Sequence, residues 1–515
     1  MDRCDAVVIG SGHNGLVAAL FMARAGLSVR VYEDKQVLGG ATRTEKPFKR
    51  APNLSTSTAS YLLGLMPPEL IAKLGVDIPV LKRDPHYFLP TTGKGYLLFG
   101  SNKTQMREQF VSFFSEADWK ANEAMQAELA QLREDVAPTW LEEPLSIHDT
   151  AEKYVRPALR TAFVELCKKP ASTYLGRFGF KSDLVKAMYV VTDGFSGLSG
   201  GWDSPGTGMN FLIHNMCRLP ESDGTWMVVK GGMGTISSRI AEQAKKEGAT
   251  IEIGRGVKKI VRVGSIAKGV ILADGTEIRA DVVVCNADPF RMRDLVGADG
   301  LPADYNKRLD SYRRDGTTMK VNLALKGLPK FTCLPDYQGQ FGPTVHLLPD
   351  EKDVIRVLRE GWAAVEQGKL PEFPSIEWYV HTAVDPSLQD EAGNHSSALF
   401  VQSVPYELKG TTWEKEEEGY VKKLLAICDR FAPGTSDLVV DTFALPPKKI
   451  EEHFGITRGH IHHVDNSFGF ADRVPYATPL QGLYSASAGC HPAGAVIGAA
   501  GHNAAMRVLK DMGKS

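Results

Sequence analysis

Two glycine-rich segments stand at opposite ends of the chain and limit its fold more than any other feature. The first is Val7-Val8-Ile9-Gly10-Ser11-Gly12-His13-Asn14-Gly15, and the second runs from Gly482 to Gly498. Ala6 to Ile9 is continuous and apolar, as a buried parallel strand requires. Leu16, Ala19, Leu20 and Ala23 then recur at helical spacing until Gly26 stops the pattern. Ser28-Val29-Arg30-Val31-Tyr32-Glu33 alternates and ends on an acid. Strand, glycine turn, helix, strand and acid in that order predict a dinucleotide-binding βαβ unit.

Each residue type has a physical reason. Gly10 allows the tight turn, Gly12 the approach of a pyrophosphate, and Gly15 the close packing of helix on strand. Ser11, His13 and Asn14 fill the turn and the first helical positions. Glu33 accepts from ribose hydroxyls, with Asp34 beside it, and a carboxylate there disfavours the 2′-phosphate of NADP. Just past the acid, Leu38-Gly39-Gly40-Ala41-Thr42-Arg43-Thr44 brings a second glycine pair close to the phosphates. Arg43 supplies a cation there, or else forms a surface salt bridge. This second pair moves the expected ligand from NAD to FAD.

The middle of the chain completes the unit. Gly231 to Ala244 reads as a glycine turn and helix, Gly248 to Ile253 as a strand, and Gly256 to Cys285 as a meander with a turn at Ala273-Asp274-Gly275-Thr276. Val257 either faces the adenine with its backbone or is an ordinary strand residue. Near the end, Gly482 to Ser487 reads as a strand into Gly489, and Pro492 to Gly501 as the opening of a last helix. Its amino-terminal dipole, through Ala495, Val496 and Ile497, would stabilise charge on the reduced flavin ring. The expected fold class is therefore α/β: a Rossmann-like FAD-binding domain assembled from 1–77, 225–289 and 449–515. Residues 78–224 and 290–448, with charged helical stretches and strand-like runs, form an inserted α+β substrate domain with a helical part.

Composition excludes several classes. A net charge of −1 offers no basic footprint for nucleic acid. The seven scattered cysteines suit reduced thiols rather than a disulfide framework. Met1 to Asp5 leads straight into a strand, so no signal peptide is expected, and a cytoplasmic location follows. Tyr61 to Leu74 reads as core packing, with a substrate entrance or a peripheral membrane contact as the other readings.

With these residues in hand, the chain resembles the phytoene-dehydrogenase-like and carotenoid-isomerase-like flavoproteins. It is most similar to the branch of pyridine nucleotide-disulfide oxidoreductase domain-containing proteins, a type shared with the amine oxidases. The matching blocks are Gly10 to Gly15, Leu38 to Thr44, Ser204 to Gly208 with His214, Gly224 to Gly234, Gly459 to His463, Thr478 to Tyr484 and His491 to Ala505. Cys490 stands where threonine is expected, Ala493 where glycine is and His502 where arginine is. The resemblance implies non-covalent FAD and a small lipophilic, polyene-like substrate that is desaturated, saturated or isomerised. A flavin amine oxidase is the second reading and a non-catalytic FAD-containing binding protein the third. The electron acceptor, oxygen or a quinone, and the oligomeric state stay open. His460, His462 and His463 form the densest titratable cluster, and by analogy lie near the flavin. His463 is the candidate catalytic base, against a purely structural role. No acid or cysteine set accompanies these histidines, so no metal is expected. Cys490 is expected to be a small buried residue.

Overall fold

The computed structural model describes residues 2–514. Its two large sheets divide the work. In the first, the strand order is Val257–Val263, Ile266–Leu272, Glu277–Cys285, Asp2–Ile9, Val29–Tyr32 and Thr250–Glu252. Leu483–Ser485 adds to Glu277–Cys285 in parallel, at Val283, Val284 and Cys285. The central strand pairs in parallel on both sides, Ile9 opposite Tyr32 and opposite Cys285. Ala6, Val7 and Val8 are fully buried, as a strand covered on both faces demands. This register sets Gly10, Glu33 and Asn286 side by side at the carboxyl ends of three adjacent strands. Open α/β sheets bind ligands at such an edge.

Helices His13–Arg24 and Ala499–Asp511 bring the chain termini together. A Cβ on Gly501 would stand 2.1 Å from the Asn14 carbonyl oxygen, so only glycine lets the helices approach this closely. The Gly501 N–H also donates to Asn14 Oδ1 at 3.3 Å. The last helix starts later than the sequence pattern implies. Residues 492–498 form a loop, and Gly498 adopts a left-handed backbone (φ +79°) that stops the helix from extending backward. The strand beside it is short, Leu483–Ser485, and Glu277–Cys285 is one continuous strand of the expected meander.

The second sheet runs Val439–Leu445, Thr318–Leu325, His395–Gln402, Ser375–Val380, Thr344–Leu347, Tyr87–Pro90 and Tyr96–Phe99. Its two faces differ because successive side chains alternate. Met319, Val321, Leu323, Ile376, Trp378, Leu399 and Val401 share a core with Tyr420, Leu424, Cys428 and Phe431 of the helix Trp413–Phe431. Lys320, Glu377 and Phe400 fall on the opposite face, and register places them in one row: Lys320 opposite Phe400, and Phe400 opposite Glu377.

Residues 103–214 are mainly helical. The charged stretch expected to make surface helices forms Lys103–Phe113 and Glu116–Val136, the second capped by Ser115 Oγ accepting from the Asp118 N–H. Phe110, Met125, Leu129 and Leu132 are fully buried, so these helices cover a core as well as meeting solvent. Among the described residues, no helix is long and apolar enough to cross a membrane.

Candidate active site

A cavity of about 620 Å³ runs from the carboxyl edge of the first sheet to the polar face of the second. Of the residues expected to hold the cofactor, Gly10, Gly12, His13, Asn14, Glu33, Asp34, Gly39, Gly40, Thr42, Arg43, Val257, Ala495 and Val496 line it, and so does His463. Val496 and Gly12, 484 positions apart, thus share one wall.

Four expected contacts stand behind that wall instead. Ser11 is fully buried, and both its N–H and its hydroxyl donate to Glu33 Oε2 at 2.8 Å. Those bonds orient the acid, whose Oε1 accepts from the Lys35 N–H at 2.9 Å. Gly15 backs onto the Gly10 carbonyl. Gly489 packs against Val464, and Ile497 belongs to the core under the helical part, because the loop before the last helix turns them inward. Arg43 lines the cavity as expected and is at the same time ion-paired. Its guanidinium is paired with Glu45 at 3.0 Å and lies over the Phe454 ring at 4.6 Å. Burial alone would raise the Glu45 carboxyl, but hydrogen bonds from His453 and Thr58 and the Arg43 charge hold it at about 2. Arg43 therefore reaches the cavity in a buried ion pair rather than a surface one.

The remaining features fit a dinucleotide with a polar ring system. The glycine-lined cradle has room beside Gly12 and Gly40, and the Glu33 acceptor stands at its far end. His13 Nε2 and His463 Nδ1, both in residues lining the cavity, meet no partner in full hydrogen-bond geometry among the described residues, although the Ala495 carbonyl lies near the His13 ring, and buried polar atoms of this kind call for a ligand. Burial pushes both imidazoles down to about 4, so they are neutral near pH 7 and available as acceptors. The neighbouring histidines behave differently. His460 Nε2 is bonded to Asp465 Oδ2 at 3.0 Å, an acid partner five residues away that sequence reading did not assign. His462 lines the cavity and is held well below the usual imidazole range, mainly by burial. Among the described residues, no group of three or more His, Cys, Asp or Glu side chains is arranged to hold a metal. Cys490 is fully buried, bonded to Ser485 and absent from the cavity wall, with burial raising its thiol to about 11.

The other half of the cavity was not read from the sequence. Lys320, only 2% exposed, donates from Nζ to the Ala59 carbonyl at 2.8 Å and stands 4.0 Å from the centre of the Tyr61 ring. Burial holds this amine well below the ordinary lysine range, partly offset by the Glu377 charge. Glu377 Oε2 accepts from the hydroxyls of Tyr61, at 3.3 Å, and Tyr379. Its other oxygen lies 3.8 Å from His346 Nε2, while His346 Nδ1 meets Tyr87 and Thr192 hydroxyls at 3.0 and 3.2 Å. Asp193, in a short π-helical turn at residues 190–194, is raised to about 7, chiefly by burial. The sequence signal was there: polar residues alternate with core residues in Thr318–Leu325 and Ser375–Val380.

Comparison with known proteins settles the family. The family model described as flavin-containing amine oxidoreductase matches residues 15–327, more than half of the chain. The chain belongs to the flavin-containing amine oxidoreductase family. It is 32% identical to pyridine nucleotide-disulfide oxidoreductase domain-containing protein 2 of Rattus norvegicus, over 99% of this chain and 94% of that one. It is 24% identical to the chloroplastic prolycopene isomerase of Daucus carota, over 99% of this chain and 80% of that protein. Putrescine oxidase bound to putrescine has the same fold, with a TM-score of 0.62 at 16% identity over 99% of both chains. Within this family the chain is an FAD-dependent oxidoreductase of α/β architecture, and the cradle described above is where its residues fit FAD.

Proposed function

We propose that this flavoenzyme desaturates, saturates or isomerises a carbon–carbon bond of a lipophilic, polyene-like substrate. The observation that carries this reading is the wall continuing the cavity beyond the glycine cradle, formed by Tyr61, Leu62, Trp226, Tyr379, Phe400 and Ile461. A wall of this kind gains free energy by burying apolar surface and keeps water from the reacting bond. Similarity to a prolycopene isomerase along the whole chain supports it. Bound FAD would supply the two-electron carrier, as the oxidised acceptor for desaturation and as the reduced donor for saturation. The protein's own residues then have plain tasks. Gly12, Gly39, Gly40 and Glu33 hold the dinucleotide, and Ala495 and Val496 close over it. His463, kept neutral by burial, accepts a proton when a C–H bond is oxidised, and Lys320, which burial shifts toward the uncharged amine, is the second acceptor.

A second reading, amine oxidation, has one specific observation in its favour. The Glu377 carboxylate sits among the aromatic rings of Tyr61, Tyr379 and Phe400, a setting that also suits an organic cation. An anaerobic screen of polyenes, retinoids, fatty acids and amines, read by bleaching of the flavin absorbance, separates the two. Bleaching by polyenes or retinoids is the expected result. Bleaching by amines alone, with peroxide release on admitting air, overturns the first reading.

His463 can be tested with any compound found in that screen. Its backbone is left-handed (φ +61°), which asparagine also tolerates. His463→Asn is expected to retain full flavin content while turnover falls by about 100-fold, the lower end of what a general base contributes. Unchanged turnover assigns the imidazole a structural role.

A further inference from the structure

We propose that Arg83 is an anion-binding residue that anchors a carboxylate carried by the lipophilic substrate. The proposal deepens the function given above and rests on the same chamber being the substrate site.

Arg83 follows the short strand Val80–Leu81, lines the cavity and is only 6% exposed. Two separate segments fix its guanidinium. Nε donates to the Trp226 carbonyl at 2.9 Å and Nη1 donates to Thr344 Oγ1 at 2.8 Å. Nη2 has no protein partner among the described residues, and no carboxylate stands within ion-pair distance of the group. Such a buried, unpaired guanidinium is costly unless a ligand completes it. Held in one plane by two fixed acceptors, it is preorganised to donate its remaining N–H groups to a carboxylate.

The acids nearby do not take that place. Glu377 spends one oxygen on the hydroxyls of Tyr61 and Tyr379 and turns the other toward His346. Asp193 is bonded to the Asn215 amide at 3.1 Å, and burial raises it to about 7, which weakens its opposition to an incoming anion. His214 lies 3.9 Å from Asp193, stacked on Trp226, with burial keeping it neutral. The chamber thus offers an apolar wall with one rigid cation left open to a ligand, its neighbouring Glu377 carboxylate being tied up by tyrosine hydroxyls, and this is the complement of an amphipathic acid rather than of a plain hydrocarbon.

Matched probes test this on the FAD-loaded enzyme. Decanoate, decanol and decylamine share a tail and differ only in head group, and benzoate carries the anion without the long tail. Binding is read from perturbation of the flavin spectrum. Wild type is expected to bind decanoate at least tenfold more tightly than decanol or decylamine. Arg83→Gln should weaken decanoate on the order of 10- to 100-fold, the span of a charged hydrogen bond, while leaving decanol unchanged. Arg83→Lys should restore part of the loss. Flavin content and melting temperature of each variant show whether the fold is intact. If Arg83→Gln is unstable, the wild-type ranking of the probes and the Arg83→Lys variant decide. Preference for decylamine, or equal decanoate affinity in wild type and Arg83→Gln, overturns the anion site. Benzoate binding that is lost in Arg83→Gln, with no response to any ten-carbon probe, keeps the anion site and overturns the lipophilic reading.

Discussion

Gly15→Val is expected to yield a colourless protein. A Cβ at this position would lie 2.3 Å from the Gly10 carbonyl oxygen and 3.0 Å from Asn286 Cβ. The first of these is backbone, so relief requires moving the turn from Gly10 to Gly12 itself. Overpacking of this kind costs about 1–3 kcal/mol, and each ~1.4 kcal/mol is tenfold in affinity. Flavin binding should therefore weaken by roughly 10- to 100-fold or more. Gly12→Val supplies a milder companion. There the added Cβ meets Asn286 Nδ2 at 2.5 Å, the movable end of a side chain. The fold should survive, and the loss should fall on the cradle that Gly12 lines. The measurement is the ratio of flavin absorbance to protein after reconstitution, with far-ultraviolet circular dichroism as the check on folding. A yellow, fully loaded Gly12→Val protein would contradict the placement of the pyrophosphate.

These two glycines were legible because their signal is local. Strand, turn, helix and acid fall within about thirty consecutive residues, and each step constrains the next through backbone geometry alone. Local signals misled where a tertiary partner decides the outcome. The buried pairing of Arg43 was not foreseen, because nothing in the string shows that Glu45 folds back on it. The small residues after Pro492 looked like the opening of a helix, but the loop must first pass His462, whose Cα would lie 2.3 Å from a Cβ on Gly494. The substrate side was illegible for a different reason. Lys320 and Glu377 occupy alternate positions in apolar strands, the same pattern that a solvent-facing sheet surface gives. Only the position of that face opposite the first sheet makes it an interior wall, and that is a fact about pairing between distant segments. Arg83 stands in a connection between short strands with no periodicity at all, and is placed by the residues it bonds, 143 and 261 positions away.

Lys320→Met should make the protein more stable and a much poorer catalyst. The side chain is almost fully buried, and its one hydrogen-bond partner among the described residues is the Ala59 carbonyl, so the charged amine is disfavoured in the folded state. Its folded pKa therefore lies well below the ordinary value of 10.5. The sign of the linkage follows. Between the two pKa values the unfolded chain binds a proton that the folded chain does not, so this lysine opposes folding as pH falls below 10.5, with the full penalty reached at the depressed folded value. Methionine fills nearly the same space without that penalty. The melting temperature of the variant should exceed that of wild type near neutral pH, and the gain should shrink toward zero as pH approaches 10.5. Catalysis should move the other way, because burial shifts this amine toward the uncharged form that can accept a proton. Loss of a positioned base costs roughly 10²–10⁴-fold, to be read as the rate of anaerobic flavin bleaching by a substrate from the screen. A variant that is both stabilised and slow marks a residue retained for chemistry at the expense of stability. A stabilised variant with wild-type bleaching rates would remove Lys320 from the reaction. A destabilised variant would show that the ammonium is charged in place and held by Glu377, reversing the electrostatic account of the chamber.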